Sequence, residues 1–442
     1  MVVFLCSLTF FICAFFFFRI VFDVVLYINT ICILIALFYA ILLGLIPFFL
    51  KREPKEIPQE SPEISIIIPV FNDGEVLERT LKNLLKLSYP GFEILVVYSE
   101  KSTDRTEEVA LEFAQKYDHI QAFPENVSRG FALNLGIDNA KNEFLLFLDS
   151  DTIIFDGFIE RALSYFSDEN IKLVSSVFLG LNTTQNIVTM MGWSMMANMN
   201  FYAVGTNKYV RDINFTGFGG MWRKNALIEC GKFALNTPSD EAEITHRVLT
   251  DFPKWKGIYD ENLFCYQYYP ADFKSLYIQQ IHWMTGKLRY ALGAIRKMSG
   301  MSLIQKFIFL SAIFMIIIFP LFIWFSMGMS FVQFFVNFFQ PNISFGGGIF
   351  FFILGIVSAL FAFTTLFIFT YSKHRGKSRV FLSRKFILGG IFFIMFICGI
   401  FYAVIALNAL KEVVSKKKKR EIFIKMDKSE LKDDDLLMDS ST

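Results

Sequence analysis

Apolar residues come in three kinds of run along this chain, and each kind predicts a different environment. Residues 1–50 are almost wholly apolar, broken only by Arg19 and Asp23. A helix needs about 20 apolar residues to cross the hydrocarbon of a bilayer. Val24–Leu50 is long enough for one span, and Met1–Phe18 is barely long enough for a second. The first run has neither a basic leading segment nor a small-residue cleavage site, which argues against a cleaved signal peptide. The linker, residues 51–62, opens with Lys51-Arg52-Glu53-Pro54-Lys55, and basic residues beside a span mark the cytosolic side.

Between residues 63 and 270 the text becomes that of an α/β domain. Apolar runs of strand length (Ile64–Val70, Glu93–Val97, Glu143–Leu148) alternate with helix-period segments, Glu75–Leu87 and Thr103–Lys116. Continuous aliphatic strands between amphipathic helices predict a Rossmann-like, mostly parallel sheet covered on both faces. Residues 271–303 mix aromatics with bases (Trp283, Lys287, Arg289, Tyr290, Arg296, Lys297), a pattern suited to helices lying on a membrane surface. Three more lipid-length runs, Phe307–Met329, Gly347–Thr370 and Phe386–Leu407, fill the region 304–410. The link Lys373–Lys385 and the run Lys416–Arg420 both ask for the cytosol. One span between them cannot grant both, and the pattern leaves that open. The tail, 411–442, ends in polar and acidic residues and reads as solvated and disordered.

Composition agrees with the membrane reading. The chain is 54% hydrophobic, with 55 Phe among its 442 residues, against about 45–50% for a soluble domain. Its net charge of +2 offers no nucleic-acid surface. Cys6, Cys13, Cys32 and Cys398 sit in apolar runs, and Cys230 and Cys265 stand alone. No disulfide or zinc spacing emerges, which fits a reducing compartment.

The candidate chemistry begins at Phe144–Leu148, a strand ending in Asp149-Ser150-Asp151. Ligands of open α/β sheets bind at the carboxyl ends of strands. Two carboxylates one residue apart can share a hard cation such as Mg²⁺ or Mn²⁺, with substrate phosphate supplying further oxygens. Read alone, the same residues are also an ordinary turn. Around them stand Pro69-Val70-Phe71-Asn72-Asp73, Tyr98-Ser99-Glu100-Lys101-Ser102-Thr103-Asp104, Arg129-Gly130-Phe131-Ala132-Leu133-Asn134, Phe218-Gly219-Gly220, Asp240-Glu241-Ala242-Glu243 and Gln279-Gln280-Ile281-His282-Trp283. In this order they resemble the family 2 inverting glycosyltransferases with a GT-A fold. The resemblance spans about Glu63 to Trp283 and extends loosely to the flanking helices of the hyaluronan, chitin, cellulose and poly-N-acetylglucosamine synthases.

The resemblance implies a metal at Asp149 and Asp151 and a nucleotide-sugar donor held by Pro69, Asn72, Glu100, Arg129, Asp149, Ser150, Asp151, Gln279, Gln280 and His282. Glu100 stands where the family has an Asp that bonds uracil, so the implied donor is a UDP-sugar. Thr103 and Asp104 fit the family's Ser-Thr-Asp continuation and equally suit a helix N-cap. Glu241, with Asp240 as fallback, would be the base that deprotonates the acceptor; the family's Glu-Asp pair is reversed here. Read from the residues alone, these acids also suit a helix's first turn. Phe218, Gly219 and Trp283 would face the acceptor, a saccharide or lipid-linked saccharide. His282 replaces the family's Arg and cannot offer a fixed charged fork. Three outcomes remain open: polymer extension, single addition to a lipid-linked saccharide, and an inactive membrane scaffold.

Overall fold

A computed structural model describes residues 61–313 and 404–414, except Thr184, Asn236 and Pro238, together with the isolated Tyr27 and Ile31. The apolar runs of 1–50 (Tyr27 and Ile31 apart) and 347–370, most of those at 307–329 and 386–407, and the tail beyond 414 lie outside the described residues. Among the described residues, no helix is long and apolar enough to cross a membrane.

Seven strands form one sheet: β1 (Ile64–Val70), β2 (Phe92–Ser99), β3 (Ile120–Glu125), β4 (Phe144–Phe147), β5 (Ile171–Gly180), β6 (Gly220–Arg223) and β7 (Lys256–Gln267). Their order is β3-β2-β1-β4-β6-β5-β7. All neighbours are parallel except the short β6, which runs antiparallel to both β4 and β5. Every residue of β1 is buried, because helices cover both faces. Alternation along the strand divides its side chains. Ile64, Ile66 and Ile68 join Leu77, Leu81 and Leu84 of α1 (Gly74–Leu84) and Val109 and Phe113 of α2 (Thr106–Lys116). Ile67 joins Leu133 and Ile137 of α3 (Arg129–Asn139) on the other face. That face also receives Leu227 of α6 (Lys224–Glu229) and Ile244 and Val248 of α7 (Asp240–Asp251). Helix α4 (Phe158–Ser164) lies on the α1 side, with Phe158, Ile159 and Ala162 in that cluster.

The chain leaves β1 for β2 and β3, then returns to β4 on the other side of β1. This reversal opens a crevice at the carboxyl ends of β1 and β4. The sequence therefore places Asn72 and Asp149 on its two lips.

Three elements outside the sheet bear on the site. Helix α5 (Ile187–Val210) begins with a capping box between Asn186 and Thr189. It is tied to the sheet by Asn200, whose Nδ2 donates to the Phe178 carbonyl (2.8 Å), and by Asn207, whose Nδ2 donates to the Gly257 carbonyl (3.0 Å). Helix α8 (Phe273–Ile295) is one 23-residue helix capped by Asp272, and it carries the Gln-Gln-Ile-His-Trp stretch. Helix α9 (Leu303–Ile313) follows it. The helical residues 404–414 pack on α8, with Ile405 and Ala409 among Leu276, Ile281, Met284 and Leu288. Asn408 Nδ2 also donates to the Tyr277 hydroxyl (2.9 Å).

Candidate active site

Arg129, the first residue of α3, joins acids that lie far apart in the chain. One guanidinium nitrogen donates to Asp149 Oδ1 (2.8 Å) and to the Gly217 carbonyl (3.0 Å), and the other donates to Asp240 Oδ2 (2.5 Å). The helix starts here because the Ser128 side chain accepts from the Phe131 N–H. Gly130 allows the close approach, since a β-carbon there would lie 2.6 Å from the Ala234 carbonyl oxygen. Asp149 is also held from the far edge of the sheet. Gln267, the last residue of β7, donates through Nε2 to Asp149 Oδ2 (3.2 Å) and to Thr152 Oγ1 (2.9 Å). Thr152 Oγ1 accepts from the Asp149 N–H in turn (3.1 Å). Ser150 turns toward β1, its hydroxyl donating to Asp73 Oδ2 (2.7 Å). Asp151 is buried.

Asp240 and Glu241 occupy the first turn of α7 and are pushed in opposite directions. Burial pushes the Asp240 carboxyl up, but the Arg129 charge together with hydrogen bonds from Glu241, the local backbone and Arg129 outweighs it, and the net shift is downward. Burial and then the negative charge of Asp240 push Glu241 up to about 8. Glu241 Oε1 accepts a hydrogen bond from the Ser239 hydroxyl (2.8 Å). Two close carboxylates that cannot both ionise cheaply hold one proton between them. The charged member is Asp240, against Arg129.

The Thr216–Gly220 turn passes beside these acids. A β-carbon on Gly217 (φ +98°) would lie 3.6 Å from the Glu241 β-carbon. Gly219 has φ +61°, and a β-carbon there would lie 2.2 Å from Ser176 Oγ and 2.7 Å from Cys265 Sγ. Strain and overpacking each cost about 1–3 kcal/mol. Gly219→Ala therefore loses about 2–4 kcal/mol of stability, read as a lower midpoint in denaturant unfolding. Phe218 is buried, edge-on to Phe178 with ring centroids 5.2 Å apart.

The lips formed by β1 and β2 are built by side-chain-to-backbone bonds. Pro69 is buried within β1, in register with Val97 of β2 and beyond the β1–β4 pairing. Asn72 has φ +52°, and its Oδ1 accepts from the Thr103 N–H (2.7 Å). Asp104 accepts from the Gly74 N–H (3.1 Å) and the Thr106 N–H (3.1 Å). Burial raises its pKa, but these hydrogen bonds and the one from the Thr106 hydroxyl outweigh that, and the net shift is downward. Asp104 thus clamps the starts of α1 and α2, which is why α2 begins at Thr106 rather than Thr103. Glu100 is exposed at the end of β2, its N–H donating to the Glu125 carbonyl (2.8 Å).

The candidates Gln279, Gln280, His282 and Trp283 lie within α8. Gln280 is buried and donates to Gln279 Oε1 (3.4 Å). His282 is half-buried. Trp283 is half-buried against the core cluster that contains Phe178, Phe218 and Tyr269. Helix α8 is seated on the acids' helix. A β-carbon on Gly286 would lie 2.4 Å from the Ser239 β-carbon, and Tyr290 hydrogen-bonds Thr237.

The structure therefore brings together Asp149, Arg129, Asp240, Glu241 and the turn at Phe218 and Gly219. Gln267, Thr152, Gly217 and Ser239 belong to the same constellation and were not marked as candidates. Thr152, the residue directly after Asp151, had a local signal in its spacing. Gln267 had none, since only the strand order brings it to Asp149. Among the described residues, no three His, Cys, Asp or Glu side chains gather as a metal cluster. Asp149 and Asp151 alone are an all-oxygen pair of the kind Mg²⁺ or Mn²⁺ accepts when phosphate supplies the remaining ligands.

Comparison with known proteins places this geometry in context. Residues 65–234 match the family model described as Glycosyl transferase family 2. A poly-β-1,6-N-acetyl-D-glucosamine synthase of Staphylococcus epidermidis is 26% identical over 259 residues, which cover 54% of this chain and 60% of that protein. The glycosyltransferase AglE of Haloferax volcanii is 34% identical over 117 residues, 26% of this chain and 38% of that protein. The chain thus spans about three fifths of the synthase's length and less of AglE's. A mannosyltransferase from Pyrobaculum calidifontis, solved in complex with GDP-Man and Mn²⁺, superposes with a TM-score of 0.62 at 15% identity, over 90% of this chain and 99% of that one. The fold is a GT-A-like, mixed and mostly parallel α/β domain.

Proposed function

We propose that the chain is a membrane-bound inverting glycosyltransferase that passes a sugar from a nucleotide-sugar to a saccharide acceptor in polysaccharide synthesis. The observation that carries this reading is the Arg129 bridge. It places an acid at a strand's carboxyl end, suited to a donor diphosphate, beside an acid pair suited to proton removal. The match over residues 65–234 gives that arrangement its reaction class. The apolar residues exposed along the end of α8 and on α9 (Leu292, Ile295, Leu303, Ile304, Phe307, Leu310) support a seat at a bilayer, with the α/β domain on the cytosolic face of the plasma membrane.

In this reading the donor lies in the crevice between β1 and β4, its nucleotide along Asn72 and Glu100 and its diphosphate at Asp149 and Asp151. Mg²⁺ or Mn²⁺ held by those two aspartates would neutralise diphosphate charge. Arg129 offers a second, permanent positive charge there. Glu241 takes the acceptor hydroxyl's proton as that oxygen attacks the anomeric carbon from the face opposite the leaving group. Trp283 of α8 offers an aromatic surface to the acceptor sugar.

The test is nucleoside diphosphate release from a panel of UDP- and GDP-sugars, with Mg²⁺ and Mn²⁺ compared. Release from none of them would sink the reading. The Staphylococcus relatives motivate the UDP-sugar arm and the Pyrobaculum neighbour the GDP-Man arm. A ladder of long products assigns polymer extension, and a single lipid-extractable product assigns one addition to a lipid-linked saccharide.

The base has its own signature. Because kcat/KM reports the free enzyme's ionisations, it should rise with pH to a midpoint near 8, where Glu241 ionises. Below that midpoint it should fall about tenfold per pH unit. A profile flat from pH 5 to 8 would transfer the role to Asp240, which Arg129 keeps ionised.

A further inference from the structure

The Asp149-Ser150-Asp151 loop is gripped from two sides. On the β7 side, Gln267 holds Asp149, and Ile153 exchanges both backbone hydrogen bonds with Tyr266 (2.8 and 2.9 Å). On the other side, three side chains at the start and along one face of α1 reach the loop. Asp73, just before the helix, accepts from the Ser150 hydroxyl (2.7 Å). Thr80 donates its hydroxyl to the Ser150 carbonyl (2.7 Å). Asn83 Oδ1 accepts from the Ile154 N–H (3.2 Å). The proposed reaction leaves all three without a role.

Two of them depart from the local task that their position offers. Asp73 stands at the N-cap of α1, where a carboxylate ordinarily accepts from the helix's first N–H groups, yet its side chain makes no capping bond. Thr80 is wholly buried in a helix whose other large buried side chains are Val76, Leu77, Leu81 and Leu84. A threonine inside a helix commonly returns its hydroxyl to a carbonyl one turn back. This one reaches a loop 70 residues further along the chain. A polar exception on an apolar face points to a task beyond packing.

The planar peptide defines that task. The Ser150 carbonyl and the Asp151 N–H belong to one rigid plane. A donor on that carbonyl sets the rotation of the plane, and with it the direction in which the Asp151 side chain leaves the backbone. Arg129 and Gln267 set the Asp149 carboxylate. We infer that Thr80 is a positioning residue of the metal site: from the middle of α1 it fixes the peptide between Asp149 and Asp151, so that both carboxylates stay set for one cation. The role rests on the glycosyltransferase reading with Mg²⁺ or Mn²⁺ at those aspartates. It makes α1 the brace against which the cation's ligands are held.

The experiment titrates Mn²⁺ into the full chain with UDP or GDP present and reads free Mn²⁺ by electron paramagnetic resonance, without turnover. Thr80→Val conserves shape and removes the hydroxyl. Loss of a contact behind a metal ligand typically costs about 10–100-fold in affinity, so half-saturation should rise at least about tenfold. Thr80→Ser keeps the hydroxyl and should stay near wild type. In nucleoside diphosphate release, Thr80→Val should need correspondingly more Mn²⁺, with most of the turnover restored at saturation. Ser65→Ala separates positioning from stability. It loses a buried hydroxyl bond to Glu93 (2.7 Å) near the opposite end of β1, so its thermal midpoint should fall while the Mn²⁺ curve stays in place. A Thr80→Val chain with a lowered midpoint and a wild-type Mn²⁺ curve overturns the role. Asn83→Leu cuts only the Ile154 tie and should move the curve the same way by less. Should Thr80→Val fail to fold, a curve that Asn83→Leu leaves unmoved overturns the role instead. Mn²⁺ held by wild type, weakened in Asp149→Asn and unchanged in Thr80→Val defeats the role alone. A wild-type chain that holds no Mn²⁺ with either nucleotide defeats the metal site and the role with it.

Discussion

Asp149→Asn should lower nucleoside diphosphate release by about 10²–10³-fold, the cost of removing one preorganised electrostatic contact to developing charge. The substitution conserves volume and leaves an oxygen for Arg129, so the charge changes while the packing does not. Each oxygen of the native carboxylate accepts one hydrogen bond, from Arg129 and from Gln267. That leaves lone pairs for a cation at the mouth of the crevice. An amide cannot ligate a hard cation as strongly, and its NH₂ group would confront the Gln267 Nε2 that now donates to Oδ2. Half-saturation by Mn²⁺ should accordingly move to higher concentration. The stability loss should be small, about 1–2 kcal/mol for a charged hydrogen bond made neutral. Thermal unfolding of the variant beside wild type separates the two effects. Unchanged turnover with unchanged Mn²⁺ dependence would defeat the assignment of Asp149 to the donor.

Asp149 also shows how far a linear reading reaches. Strand β4 is legible because four buried aliphatic and aromatic residues precede a polar turn, and β1 because seven consecutive residues are buried on both faces. β6 is not, since four residues, Gly-Met-Trp-Arg, carry no period, and its antiparallel insertion between β4 and β5 is decided by the tertiary fold. β7 mixes Asp260 and Glu261 into an apolar run. The mixture makes sense only once Arg161 of α4 is seen to pair with Asp260 where the register to β5 shifts. The helix limits drift for local reasons. α1 ends at Leu84 rather than Leu87, and α2 opens late because Asp104 takes the first N–H groups for itself. The site follows the same rule. Asp149, Arg129 and Asp240 are each marked in the sequence, but 20 and 111 residues separate Arg129 from its two partners. No spacing could announce that one guanidinium holds both.

Arg129→Leu should be the most damaging single change in the domain, because it removes the counter-charge from two acids at once. The guanidinium is about three-quarters buried and Asp240 nine-tenths buried. Removing one partner of a buried ion pair costs about 3–5 kcal/mol, since the surviving charge stays desolvated. The pH dependence identifies the cause. With Arg129 present, the Asp240 pKa is lowered, so the pair contributes stability above the unfolded carboxylate's value near 4. That contribution is lost as pH falls through the lower folded value. In Arg129→Leu, Asp240 meets burial without its counter-ion and takes up a proton at higher pH. The stability gap to wild type should therefore be widest at neutral pH and close as the pH approaches 4. A gap constant from pH 4 to 8 would assign the loss to packing rather than charge. Activity should fall further than in Asp149→Asn, because diphosphate charge goes unmatched and the acid pair is left with two negative groups or an extra proton. Arg129→Lys is the informative control. A single ammonium cannot span Asp149 and Asp240 as a planar fork does, so it should recover much of the stability at neutral pH and little of the turnover.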